Sequence, residues 1–85
     1  MTFSIEFSRR AEKDLNNLDK VVAGRCLAEI EMLKENPFPR GAVKVKGEEG
    51  VFRVRVGKYR ILYEVYSETN VVLITKIDKR GRVYE

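Results

Sequence analysis

The sequence of 85 residues contains no histidine and a single cysteine, Cys26. Without histidine, the commonest general base and the commonest zinc ligand are both missing. Serine–histidine triads and ordinary zinc sites are therefore excluded, and neither a metal nor a cofactor is expected. A lone cysteine rules out an internal disulfide and suits a reducing cytoplasm, the expected location. No apolar run approaches the roughly 20 residues of a membrane span. The opening Met-Thr-Phe-Ser-Ile-Glu is not a signal peptide, so no membrane partner is expected. A phosphate-cradling glycine loop is also missing, because Gly47 and Gly50 precede a strand pattern and not a helix. Repeats, linkers and low-complexity tracts are absent, and the length fits one domain over residues 1–85.

What is present is charge, unevenly placed. Hydrophobic residues make up 44% and charged residues 35%, as in a globular chain. Residues 1–42 hold seven Lys/Arg and seven Asp/Glu, whereas residues 43–85 hold ten and six. The whole net charge of +4 therefore lies in the second half. A one-sided basic surface is the electrostatic footprint of a polyanion binder; ordinary charge scatter is the alternative.

Phe3, Ile5 and Phe7 alternate with polar residues, which is strand periodicity. Ser8 is placed to cap a helix from Arg9 to about Leu18, with an apolar stripe of Ala11, Leu15 and Leu18. Asp19 caps a second helix from Lys20 to about Glu35, whose buried face reads Val22, Cys26, Ile30 and Leu33 with Ala23 and Leu27 beside it. Asn36-Pro37 stops it, since the residue before proline resists the α region. Cys26 reads as a core thiol. Strand patterns follow at Ala42–Lys46, a short edge, and at Val51–Val56, Tyr59–Tyr66 and Val71–Ile77. The order β-α-α-β-β-β-β predicts an α+β fold: an antiparallel sheet with an N-terminal helical hairpin packed on one face.

The pair Gly57-Lys58 sits between two strong strand patterns and suits a type II′ turn. That turn sets Val56 opposite Tyr59, Arg55 opposite Arg60, Val54 opposite Ile61, Arg53 opposite Leu62 and Phe52 opposite Tyr63. One face then carries Phe52, Val54, Val56, Tyr59, Ile61 and Tyr63, the expected core side. The other carries Arg53, Arg55 and Arg60. Like charges directly cross-strand destabilise a sheet, with β-carbons about 4.5–5.5 Å apart. Three guanidiniums on one face suit phosphate, which accepts their forked donors in pairs. The alternatives are that they splay into solvent or that Glu64, on the same face, neutralises one. Tyr59, Tyr63 and Tyr66 read as packing residues, with Tyr66 on the arginine side. Glu48 and Glu49 read as a solvated turn. The basic ending Lys79-Arg80-Gly81-Arg82-Val83-Tyr84 puts a ring among cations, the combination that single-stranded RNA recognition uses. The register across Ser67–Asn70 cannot be read, so the side that Arg80 faces is not fixed.

The segment Phe52-Arg53-Val54-Arg55-Val56-Gly57-Lys58-Tyr59-Arg60-Ile61-Leu62-Tyr63-Glu64-Val65 resembles the central hairpin of the RelE/ParE superfamily of toxins. The Phe7–Leu15 segment, the helix ending at Asn36-Pro37 and the basic ending with Tyr84 are similar as well, and the last favours the RelE branch. The resemblance implies a RelE-like microbial RNase toxin neutralised by a RelB-like antitoxin, with the ribosomal A site and mRNA as its other partners. It implies a metal-independent endoribonuclease using the substrate 2′-hydroxyl, with catalytic positions at Arg53, Arg55, Arg60, Arg80 and Tyr84. Lys44, Lys46, Lys79 and Arg82 are the further RNA-binding candidates. Arginine replaces the lysine common at the first two catalytic positions, and it stays protonated, so neither is a ready general base. The alternatives are a gyrase-inhibiting toxin of the ParE kind and a non-catalytic basic RNA-binding domain on the same fold.

Overall fold

The computed structural model describes residues 2–79. Its elements are β1 (Ser4–Phe7), α1 (Arg9–Asn16), α2 (Lys20–Met32), β2 (Val43–Lys44), β3 (Val51–Val56), β4 (Tyr59–Tyr66) and β5 (Val71–Lys79). The strands form one five-stranded sheet in the order β1-β5-β4-β3-β2.

Both helices begin where their caps dictate. The Ser8 hydroxyl accepts the Ala11 amide at 3.0 Å, and the Asp19 carboxylate accepts the Val22 amide at 2.9 Å. Each cap contributes about 1 kcal/mol. Both helices end earlier than the apolar spacing predicts. After Met32 the amides of Leu33, Lys34 and Glu35 bond three residues back instead of four. The Asn36 side chain then accepts the Phe38 amide at 3.0 Å, folding a local turn around Pro37.

The apolar faces meet on one side of the sheet. Ala11, Cys26, Ile30 and Leu33 pack on Val54, Val56, Ile61, Tyr63, Val72, Ile74 and Ile77. Cys26 is fully buried, and burial pushes its thiol up, so it remains an inert core group as expected. Tyr63 is also fully buried, and its hydroxyl donates to the Pro37 carbonyl at 2.7 Å. Its ring stacks on Phe52, with centroids 5.9 Å apart, and Phe38 meets Phe52 edge-on at 5.1 Å. The loop after α2 thus covers the part of the core above β3.

The β1·β5 pair is parallel, from Ser4↔Val71 to Phe7↔Ile74, while the other three pairs are antiparallel. The sheet is therefore mixed at one edge and not antiparallel throughout. The helical hairpin carries the chain to the far edge, and the meander β2–β5 returns β5 beside β1 in the same direction. Alternation within a strand carries no information about direction. Beyond Ile74 no strand among the described residues lies beside the outer edge of β5, and α1 covers it. The Ser8 amide donates to the Ile74 carbonyl, the Ser8 hydroxyl to the Thr75 carbonyl, and the Ile77 amide to the Asp14 carboxylate, at 2.9, 2.9 and 3.0 Å. A sheet edge is protected in this way by a helix and its cap.

Tyr63→Phe removes the hydroxyl and leaves a buried carbonyl without its donor, a loss of about 1–3 kcal/mol. Burial, with a smaller contribution from Glu29, pushes the Tyr63 phenol up to about 12. A free tyrosine ionises near 10. The contribution of the neutral phenol is full below pH 10 and is lost as pH rises from about 10 to 12, because the unfolded chain releases the proton first. Urea unfolding should therefore find Tyr63→Phe less stable at neutral pH and less sensitive to alkali across that window.

Candidate functional site

The turn that joins β3 to β4 determines which side chains share the uncovered face. Gly57 has φ +60°, and among the described non-glycine residues only Asn70 has a positive φ. Those signs are the type II′ pattern. The resulting register pairs Arg55 with Arg60, Arg53 with Leu62 and Val51 with Glu64. The three arginines lie on the side opposite the helices, as the alternation requires.

The pairing of β4 with β5 completes the face. It runs Arg60↔Asp78 and Leu62↔Lys76, then shifts by a bulge so that Tyr63 meets Ile74, leaving Thr75 without a direct partner. The Thr75 hydroxyl fills the bulge by donating to the Leu62 carbonyl at 3.2 Å. One cross-strand row thus reads Arg55–Arg60–Asp78, and the next reads Val43–Arg53–Leu62–Lys76. Further along, Glu64 and Glu6 both oppose Leu73. The face is basic at the hairpin end and acidic toward its middle.

A concavity of about 640 Å³ opens at the basic end, with Lys44, Lys46, Arg53, Arg60 and Lys76 around Leu62. Glu48 also lines it, from the loop after β2. Arg60 is 8% exposed and lies in the wall of this groove. Arg53 is half-buried beside it, while Arg55 is exposed and stands outside the groove, opposite Arg60. Among the described residues neither Arg53 nor Arg55 is in an ion pair. Glu64, the carboxylate placed to neutralise an arginine, instead accepts a hydrogen bond from the Tyr66 hydroxyl. That bond raises the Tyr66 phenol and ties the ring to the end of β4 roughly 20 Å from Arg60 along the strand.

Of the residues singled out from sequence, the fold brings Arg53, Arg60, Lys44 and Lys46 together, with Arg55 adjoining. Lys79 pairs with Tyr59 and shares its face, so it is not brought into the groove. Arg80, Arg82 and Tyr84 lie outside the described residues. Lys76 and Asp78 were not anticipated. They share the open face because Ile77 between them is buried on the helix side, and the bulge that sets this register has no strong sequence signature. Such a surface favours a polyanion: the guanidinium forks match phosphate oxygens, and the lysines add point charges.

The chain matches, over residues 5–84, the family described as ParE toxin of type II toxin-antitoxin system, parDE. It is 35% identical over 88 residues to the protein named RelE1 in Methanocaldococcus jannaschii, covering 100% of this chain and 98% of that one. It is 28% identical to toxin RelG of Mycobacterium tuberculosis, covering 99% and 98%. Among solved structures, the RelE–RelB complex from Pyrococcus horikoshii contains a chain that superposes with a TM-score of 0.83 at 31% identity, covering 98% of this chain and 100% of that one.

The Arg55–Arg60 pair places like charges side by side, which costs stability at low salt. Arg55→Thr should raise the unfolding free energy by about 0.2–1 kcal/mol there. The gain should shrink as the Debye length falls from about 10 Å at 0.1 M to about 3 Å at 1 M. Urea unfolding at those two ionic strengths checks this. A variant no more stable than the parent at low salt would mean that the pair is not repulsive.

Proposed function

Because this chain belongs to the RelE/ParE superfamily of type II toxins, in its RelE branch, we propose that it is an endoribonuclease that cuts mRNA in the ribosomal A site and so blocks translation. A RelB-like antitoxin neutralises it, as the RelE–RelB pairing of the Pyrococcus horikoshii relative suggests. The observation that carries this reading is the basic groove. Arg53 and Arg60 are in its wall and Arg55 is beside it, on the one sheet face that the helices leave open.

RNA carries its own nucleophile. The 2′-hydroxyl attacks the adjacent phosphorus, the P–O5′ bond breaks, and a 2′,3′-cyclic phosphate forms while the departing 5′-oxygen gains a proton. In this reading Arg60 and Arg80 bracket the phosphate oxygens and stabilise the charge that builds in the transition state. Arg53 and Arg55 orient the backbone, and Lys44 and Lys46 hold flanking phosphates. Tyr84 stacks on a base, and its hydroxyl takes part in moving the proton. A phenol of pKa about 10 is almost wholly protonated at neutral pH, and neighbouring guanidiniums favour the ionised form that accepts a proton. The ribosome then supplies the alignment that so small a protein does not enforce by itself.

Arg80→Ala and Tyr84→Ala should each reduce single-turnover cleavage of ribosome-bound mRNA by about 10²–10⁴-fold, the effect of losing one positioned catalytic group. A 2′-deoxy nucleotide at the cut position should abolish cleavage. Wild-type rates in both alanine variants would end the catalytic assignment and reduce the groove to a binding surface. The ParE description of the family supports a second reading, a toxin acting on gyrase. Labelling of protein and DNA synthesis after expression separates the two: translation stops first in the mRNA reading, and DNA synthesis in the gyrase reading.

A further inference from the structure

Lys76 and Asp78 enter the open face from β5, on either side of buried Ile77. Lys76 lines the groove opposite Leu62, which is flanked on its other side by Arg53. Asp78 stands opposite Arg60. Its carboxylate is divided between two cations, with one oxygen 3.5 Å from Lys76 Nζ and the other 3.4 Å from Arg10 Nη2. Arg10 comes from α1 and does not line the groove. Its Nε is held by the two oxygens of Asp14 at 3.1 and 3.0 Å, and Asp14 is itself fixed by the Ile77 amide at 3.0 Å. A chain of ion pairs therefore runs from the helix, through a carboxylate, to a groove lysine.

An aspartate beside Arg60 is out of place on a surface that takes anions, since it repels phosphate and competes for the cations. Asp78 is 17% exposed, so removing its last partner would leave a poorly solvated charge. Arg10 supplies a partner from outside the groove. With Arg10 in place, Lys76 can turn from Asp78 to a phosphate without abandoning a lone carboxylate. We propose that Lys76 is a further phosphate-binding residue of the groove, and that Arg10 is a positioning residue that frees it by neutralising Asp78. The ligand is the backbone of single-stranded RNA, and the inference rests on the RNA reading of this groove.

The experiment titrates the full chain with a fluorescent single-stranded oligoribonucleotide, 2′-O-methylated to prevent cleavage, over a series of salt concentrations. Lys76→Ala should weaken binding and lower the slope of log K against log salt by about 0.7, the loss of one phosphate contact. Lys20→Ala, on the helical side, removes the same charge and should leave the slope unchanged. Arg10→Ala should weaken binding by about two- to fivefold, the scale of an exposed ion pair. Arg10→Gln, which keeps most of the side chain, should do the same. Adding Asp78→Asn to either should restore affinity, a rescue that a merely structural role of Arg10 would not give. An unchanged slope in Lys76→Ala would overturn the phosphate contact while leaving the RNA reading intact. An Arg10→Ala loss as large in the Asp78→Asn background as in the parent would overturn the positioning role. No salt-dependent binding by the unaltered chain would remove the RNA reading and this inference together.

Discussion

Gly57, at φ +60°, turns the chain between β3 and β4 within two residues, and the register set by that turn governs both faces of the sheet. Val54, Val56, Ile61 and Tyr63 reach the helices only because Val56 meets Tyr59. A slip of one residue would turn β3 over relative to β4, placing Arg53 and Arg55 under the helices and Val54 and Val56 in water. Burial of the apolar face thus enforces the arrangement of the basic one. The fold positions its cations because a shifted register would have to bury them.

The two faces divide the labour. The helix side satisfies its polar groups internally, as with the Tyr63 hydroxyl on the Pro37 carbonyl and the Ser8 and Asp14 side chains on the edge of β5. The open side gathers cations at its hairpin end, where Arg55 adjoins Arg60 and lysines approach from β2 and β5. Local repulsion that folding alone would not favour is the mark of a surface completed by a ligand. The single carboxylate in that row, Asp78, is managed from behind by Arg10.

Much of this could be read from the residues because local rules decide it. Ser8 and Asp19 cap, and Gly57-Lys58 sets the hairpin register. What escaped depends on interactions distant in sequence. The parallel seating of β1 on β5 follows from the path of the helical hairpin and not from alternation. The bulge at Thr75 and the four-residue loop before β5 decide which residues face Arg60, and neither has a strong sequence signature. Charge alone groups Lys79 with the RNA-binding cations, whereas pairing with Tyr59 gives it the other face. The helix ends were overextended because apolar spacing continues through Leu18 and Leu33 after the hydrogen bonding has changed.

Chemical-shift mapping with a short, uncleavable single-stranded RNA tests most directly whether the basic sheet face is the working surface. The largest changes should fall on Val43–Lys46, Arg53–Arg60 and Lys76–Asp78, with the outward side of α2 silent. Changes centred on the exposed Val21, Leu27 and Met32 of α2, with the arginine face unaffected, would contradict this account.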